Sequence, residues 1–330
     1  MLHKYSREAE RLVLRDPLVS SENTMAPTVL WYDLVNPTSP EGRSVEEALG
    51  VSIPTRDEME EIELSSRLYQ EDGAEFMTIT ALTNLDNGAP LKTPVTFILK
   101  GSALVTIRYA EPKPFVVFAN RAMRANGQVY LAGEELMFGI LEAIIDRMAD
   151  VLERIGNEID GISREVFRGK SASSTKKTKD LQSLIEQLGQ KGDFLSGVRE
   201  SLVSISRVVA YHAALETQTR KPAKEIRQMV KLLQRDASSL GDHATFLSGK
   251  INFLLDATLG LINLEQNQII KIFTVASVVF LPPTLVASIY GMNFNLMPEL
   301  QWSLGYPWAV AVMILSAALP FYYFKRRGWL

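Results

Sequence analysis

Four hydroxyl side chains, Thr274, Ser277, Thr284 and Ser288, lie in a stretch, residues 272–290, that has no charged residue. At 100° per helical residue they fall within roughly 80° of one another. Leu281 lies inside the same arc, and extending the helix backward adds Asn267. Positions 267, 274, 281 and 288 form a heptad column, with 270, 277, 284 and 291 as its companion. That period suits helices crossing in a left-handed bundle. Two interpretations of the hydroxyls are open. Each can bond back to a carbonyl of its own helix, or together they can face a water-filled axis between several copies of the helix. Pro282 and Pro283 favour the second, because each removes a backbone donor and leaves the carbonyls of Val278 and Val279 in need of other partners. A protein-lined, hydrated cavity supplies them.

The elements that must position this stripe read as membrane elements. Residues 272–290 and 307–324 are both uncharged, and each approaches the ~20 apolar residues that cross a ~30 Å hydrocarbon core as a helix. Between them, residues 291–306 carry one charged side chain, Glu299. Two such segments in tandem, closed by Lys325, Arg326 and Arg327, predict a membrane hairpin. Lys271 precedes the first span, and the connecting loop has no Lys or Arg. Basic residues near span ends stay on the cytoplasmic side. Both termini are therefore expected in the cytoplasm and the loop outside.

Composition narrows the chemistry further. The 330 residues carry a net charge of -3 and no cysteine, so disulfides and thiolate metal sites are excluded. The three histidines, His3, His212 and His243, are far apart in sequence, which argues against an imidazole-built zinc site. A cation handled by this chain meets mostly oxygen. That favours a hard ion such as magnesium and leaves cobalt and nickel open. The charge balance offers no sign of a nucleic-acid partner. Neither a phosphate-cradling glycine loop nor a Ser/His/Asp arrangement is present, so no nucleotide partner and no enzyme are expected. The N-terminal residues lack the apolar run of a signal peptide.

Along the chain, residues 1–130 read as an α/β domain. Strands are expected at 29–35, 75–83, 94–99, 103–108 and 115–118, with tight turns at Asn87-Gly88 and Lys100-Gly101. Thr55, with Glu58 three residues on, predicts a capped helix start. Five acidic residues follow between Asp57 and Leu64, either a solvated helix face or an oxygen-rich cation site. From Glu134 the period changes. Met137, Leu141, Ile144, Met148, Val151, Ile155, Ile159, Ile162 and Val166 recur at three and four residues, the mark of a long amphipathic helix. A basic break at 169–179 precedes a second helix from about 180 to 219, with Leu181, Leu184, Leu188, Leu195, Leu202 and Ile205 as buried candidates. Its lysines are placed either in solvent or against anionic headgroups. Pro222 sits where a third helix can begin, and nothing clearly breaks that helix before Leu281. Continued to Tyr290, it spans about 100 Å.

Tyr290-Gly291-Met292-Asn293-Phe294, then MPEL at 297–300, then Trp302, Gly305-Tyr306-Pro307, the basic cluster and a final Trp-Leu closely resemble the CorA family of divalent-cation channels. The dense part covers the last quarter of the chain, and the organisation of the rest fits. The resemblance implies an α/β cytosolic domain (1–130), a helical stalk (131–271), a pore-lining transmembrane helix (272–290), an external loop (291–306), a second transmembrane helix (307–324) and a basic cytosolic tail (325–330). It also implies a funnel-shaped homopentamer in a cell inner membrane that carries hydrated Mg2+, also Co2+ and possibly Ni2+. Asn293 matches the family's ring of amide oxygens at the mouth, with Gly291 allowing the turn and Met292 packing it. Glu299 matches the acid that draws cations in. Thr274, Ser277, Thr284 and Ser288 then pass the ion inward to Asn267, while Leu281 and Ile270 are the candidate dewetting constriction. Asp256 and Glu61 match acids that bind regulatory Mg2+ between neighbouring subunits. Two rivals remain: a ZntB-type zinc transporter of the same superfamily, whose loop usually departs from YGMNF and lacks MPEL, and a membrane-anchored helical scaffold.

Overall fold

β-Branched and aromatic residues dominate the chain from Val29 to Arg108, and there they build the centre of a seven-stranded sheet. The structure, a computed structural model, describes residues 1–8, 11–15, 29–86, 90–124, 129–167, 174–219, 224–293 and 297–329, with the side chains of 174–180, 216–219, 299 and 300 outside that description. The strands are β1 (Leu2–Glu8), β2 (Arg11–Arg15), β3 (Val29–Val35), β4 (Leu68–Glu71), β5 (Ala74–Thr83), β6 (Leu91–Lys100) and β7 (Ala103–Arg108). Their order is β2-β1-β3-β7-β6-β5-β4. Only β3 and β7 run parallel, with Trp31 opposite Leu104 and Asp33 opposite Thr106.

Strand alternation sends one set of side chains to each face. On one face Tyr32, Leu34, Phe76, Ile98, Val105 and Ile107 cluster with Val45 and Met59. Those two come from helices α1 (Ser39–Leu49) and α2 (Arg56–Glu60). The expected cap is present: Thr55 and Glu58 exchange side-chain and backbone hydrogen bonds at the start of α2. A one-turn helix, α3 (Leu64–Arg67), leads into β4. On the other face lie helices α4 (Lys113–Ala122) and α5 (Gly133–Phe167). Phe115 of α4 stacks on Phe97, and Phe118 meets Trp31 edge-on. A Cβ on Gly139 of α5 would come within 2.4 Å of the Phe118 ring, so only glycine lets α5 lie this close to α4.

Burying both faces leaves no water for the polar groups at the centre of the sheet, and Asp33, Thr106, Trp31 and Arg108 partner one another. Asp33 accepts from Arg108 Nη2 at 2.8 Å, from Arg108 Nε at 3.0 Å and from Thr106 Oγ1 at 2.8 Å. Thr106 in turn accepts from Trp31 Nε1 at 2.9 Å. Burial alone would raise the Asp33 carboxyl. Hydrogen bonds from His3, Arg108 and Thr106, with the Arg108 charge, outweigh it and hold the group below its ordinary value.

The later helices are α6 (Ser174–Thr219), α7 (Lys224–Tyr290) and α8 (Gly305–Arg326). Every apolar position predicted for the core side of α5 and α6 is buried, from Met137 through Val166 and from Leu181 through Ile205. Ion pairs join Lys191 and Lys250 to Glu158 and Asp160 of α5. The chain divides into two compact units, Met1–Arg168 with Glu186–Leu254, and Gly169–Ile185 with Leu255–Leu330.

Three expectations need correction, and one helix runs past the segment from which it was read. Residues 115–118 form helix, not strand: Pro114 sits in the first turn of α4, and burial of Phe115, Phe118, Ala119 and Ala122 follows the helical period while Val116 and Val117 face outward. Two N-terminal strands, β1 and β2, and the short β4 add to the sheet where no strand was expected; their frequent charges, natural for β2 and β4 at the two sheet edges, hide the alternation. Helix α6 begins at Ser174, inside the segment read as a basic break, because serine, lysine and threonine do not stop a helix as glycine does. Helix α8 extends to Gly305 and Arg326, beyond the apolar limits that defined the span. The Asn87-Gly88 turn lies outside the described residues.

His212 of α6 joins three elements at once. Its Nδ1 is 2.7 Å from Glu75 of β5 and its Nε2 is 2.9 Å from Glu134 of α5, with the imidazole 4% exposed. Burial pushes the imidazole down, but hydrogen bonds and charge from Glu134 and Glu75 win, raising it from 6.5 to about 9. A group raised on folding contributes fully below its unfolded value and loses that contribution as pH climbs through the folded one. Hydrogen-exchange protection of β5, α5 and α6 is therefore expected to stay high to about pH 6.5 and fall as pH approaches about 9. The change His212→Leu leaves two carboxylates facing each other and is expected to cost about 2–4 kcal/mol, with the pH dependence gone. A pH-independent wild-type profile would contradict this role.

Candidate cation pathway

Helix α7 runs unbroken for 67 residues and passes through both Pro282 and Pro283 to Tyr290. Among the described residues it contains one of two stretches long and apolar enough to cross a membrane; α8 is the other, and only 6% of each stretch is buried within the chain. A core helix of a soluble protein would be mostly buried. These two instead expose Ile272, Phe273, Phe280, Leu285, Ile314, Leu315 and Leu319, a surface that hydrocarbon covers at no cost and water does not.

Within the span, burial picks out a face. Val275 is buried, and Val279, Pro282, Pro283, Val286 and Tyr290 are half-buried. Asn267, Ile270, Thr274, Ser277, Leu281, Thr284, Ser288, Gly291, Met292 and Asn293 are all exposed. At 100° per residue the two sets centre roughly 160° apart. The structure thus places Asn267, Ile270, Thr274, Ser277, Leu281, Thr284 and Ser288 on one stripe of α7, opposite the face the chain covers for itself, while Gly291, Met292 and Asn293 follow the end of the helix.

The hydroxyl geometry joins the two interpretations that the sequence left open. Thr274 Oγ1 donates to the Ile270 carbonyl at 2.8 Å, and Thr284 Oγ1 donates to the Phe280 carbonyl at 2.8 Å. Each hydroxyl has spent its only hydrogen on its own helix. What it still presents outward is lone pairs. A back-bonded threonine on this stripe is an acceptor, which is the polarity that the outward-pointing hydrogens of hydration water require.

At the C-terminal end of α7, Gly291 N–H donates to the Ala287 carbonyl at 2.9 Å and Met292 N–H to Ile289 at 3.3 Å, closing the helix. Glycine was expected here for its freedom to turn. Its φ is outside the left-handed region, and the constraint is steric: a Cβ at Gly291 would lie 3.1 Å from the Ala287 oxygen. Asn293 follows directly, exposed. Glu299 falls in a 3-10 turn, Pro298–Gln301, with its side chain outside the description, and Phe294 lies outside the described residues. Trp302 and Trp308 flank the start of α8 with ring centroids 6.4 Å apart.

At the C-terminal end of α8, Lys325 and Arg326 close the last turn and Arg327 caps it, where cations oppose the negative end of the helix dipole. Arg327 also lies over the Tyr323 ring at 5.4 Å. One contact here was not expected from sequence: Lys271 Nζ lies 5.8 Å from the centroid of Trp329. The Gly-Trp pair behind the basic cluster signals the helix C-cap that holds Trp329, though not its partner. Asp256 of α7 and Glu61, which caps α2, are both exposed and fall in different units of the chain. Among the described residues, no three His, Asp or Glu side chains gather as a metal site would need.

Residues 27–326 match the family model described as CorA-like Mg2+ transporter protein. A magnesium transport protein CorA of Yersinia pseudotuberculosis is 39% identical over 304 residues, covering 91% of this chain and 92% of that protein. Among solved structures, the complete CorA magnesium transporter of Methanocaldococcus jannaschii shares the fold at a TM-score of 0.77 and 19% identity, covering 100% of this chain and 99% of that one. The ZntB cytoplasmic domain of Vibrio parahaemolyticus is more distant, at a TM-score of 0.57 and 12% identity, covering 80% of this chain and 97% of its own. With the family model spanning nearly all of the sequence and close relatives matching end to end, this chain belongs to the CorA-like Mg2+ transporter family.

Proposed function

We propose that this chain is the subunit of a passive magnesium channel of a cell inner membrane, with several copies of α7 surrounding a hydrated axis. The observation that carries the proposal is the exposed stripe of hydroxyls and amides on α7, opposite its buried face. A stripe of acceptors is of no use against lipid and would be expensive there. Against a second, third and further copy of itself it encloses water. The family supplies the number five. The proposed layout keeps a cytosolic α/β domain at 1–130, a stalk at 131–271, spans at 272–290 and 307–324, and a cytosolic tail at 325–330. The loop 291–306 faces outward, because the cations flank the spans on the other side.

The ion's own chemistry explains the residue types. Magnesium holds octahedral water at 2.0–2.1 Å and dehydrates reluctantly. A ring of carboxylates at the mouth would bind it tightly and delay its release. A ring of Asn293 amides offers acceptor oxygens to the hydration shell without a full charge. Met292 packs that ring, and Glu299 raises the local cation concentration outside it. Thr284, Ser288, Ser277 and Thr274 then continue the acceptor surface to Asn267. Leu281 and Ile270 interrupt it, 65% and 60% exposed in the single chain, and form the proposed constriction that closes by dewetting. Cobalt, with the same charge and similar octahedral water, is expected to pass; nickel by the same argument.

A membrane potential drives such a path without nucleotide. Moving a dication inward through 100 mV is worth ~4.6 kcal/mol, over three decades in concentration. A permanently open path would overfill the cell, so internal magnesium is proposed to close it. Asp256 and Glu61 of neighbouring subunits would share the regulatory ions. When those ions leave, unscreened carboxylates repel one another and the stalk loosens.

Dye-loaded liposomes carrying the purified chain are expected to admit magnesium under an inside-negative potential; no entry would favour a membrane-anchored scaffold. Zinc failing to compete with magnesium in the same vesicles separates the proposal from a ZntB-like zinc transporter. Asn293→Asp is expected to lower the half-saturating magnesium concentration about tenfold or more and to slow the maximal rate, as tighter binding delays release. Thr284→Val should reduce flux roughly tenfold, while Thr284→Ser, which keeps the acceptor, should retain most of it. Asp256→Lys combined with Glu61→Lys should leave currents insensitive to millimolar internal magnesium; full sensitivity in that variant would remove this pair from the sensor.

A further inference from the structure

The last turn of α8 ends in a specific backbone device. Gly328 adopts φ +71°, the left-handed region where a side chain is strained. Its N–H donates to the Lys325 carbonyl at 3.2 Å, and the Trp329 N–H donates to the Phe324 carbonyl at 3.1 Å. This pair of bonds is a Schellman turn, whose usual apolar partner contact is also present. The Trp329 ring stacks on Phe324 with centroids 5.3 Å apart. The indole is thereby fixed by backbone and ring together, with the Lys271 ammonium 5.8 Å from its centre. That distance lies within the ~6 Å reach of a cation–π contact. Both residues belong to the same compact unit.

Lys271 occupies a sensitive place. It lies one helical turn after Asn267 and, at 100° per residue, about 40° beyond the edge of the polar stripe. A four-carbon stem there can swing toward the stripe or away from it. With one ammonium per copy, the first choice would gather like charges where a dication must leave the pathway, and raise the barrier to its exit. We propose that the C-terminal turn is a latch that parks Lys271 off the cation pathway, with Trp329 as the positioning residue. This rests on the conduction function proposed above. The aromatic face gives the ammonium an alternative seat, and Gly328 is the residue that allows the turn to present it.

A second role for an end-of-span tryptophan is membrane anchoring, and the background at position 271 tells the two apart. In vesicles, Trp329→Ala is expected to slow magnesium entry about two- to fivefold when Lys271 is present, matching the bias a cation–π contact supplies. In a Lys271→Gln background the same substitution should make little difference, since no ammonium remains to be parked. Equal slowing in both backgrounds would overturn the latch in favour of anchoring. Hydrogen exchange at the amides of Gly328 and Trp329 in lipid nanodiscs reads the contact without any transport. Lys271→Gln should accelerate it, and unchanged exchange would overturn the latch whether or not flux persists. A complete lack of magnesium entry with the unaltered chain would instead overturn the conduction proposal on which the latch's role depends.

Discussion

A dication that keeps its water cannot share a surface with hydrocarbon, and in the proposed pathway residues 272–290 of α7 have to satisfy both. One side of the helix must be apolar enough to lie in a bilayer, and a narrow stripe must hold water without holding charge. The sequence meets this with hydroxyls and a carboxamide among valines, leucines and isoleucines, and with no Asp, Glu, Lys or Arg between Ile272 and Tyr290. The threonines are well suited because their single hydrogen returns to the helix at Ile270 and Phe280. At those two positions what faces outward is an acceptor, the sense that the outward hydrogens of a cation's hydration water require.

The proposed stripe works only if α7 is held in place, and the unit in which the helix begins has a rigid frame. Its sheet is covered on both faces, and the polar groups at its centre are hydrogen-bonded to one another. Asp33, Thr106, Trp31 and Arg108 form one connected set across the parallel pair β3 and β7. His212 ties the sheet to α5 and α6 through two carboxylates. A buried network of this kind gains little net stability over apolar packing, but breaking one member leaves an unpaired charge, so it tolerates few alternative arrangements. Helix α7 begins in the unit that contains this frame and ends in the other. A continuous helix of that length can pass a change at one end to the other, as the proposed gating requires.

The long helices and the candidate stripe could be read from the residues because periodicity is a property of the chain alone. Every predicted inward position of α5 is buried, and the whole polar column of α7 is exposed. What escaped was decided by tertiary context. Residues 115–118 carry strand-forming valines and phenylalanines, yet the prolines around them and the sheet beneath select a helix that buries Phe115 and Phe118. The N-terminal strands β1 and β2 carry too many charges to stand out. At Gly291 the residue was anticipated and the reason was not, since only coordinates show the Ala287 oxygen in the space a side chain would take. The Lys271–Trp329 contact joins two positions far apart in sequence, and no local pattern pairs them.

Because the chain has no cysteine, a thiol placed along α7 is the only one in the molecule. Single cysteines at each position from 270 to 290, in proteoliposomes exposed to a membrane-impermeant thiol reagent, ask directly whether water lies along that helix. The account predicts fast reaction at 270, 274, 277, 281, 284 and 288, and slow reaction at 275, 279, 282 and 286, with magnesium in the bath slowing the reactive set. Uniform protection along the segment, or reactivity on the opposite face, would mean that no wet axis runs beside these residues.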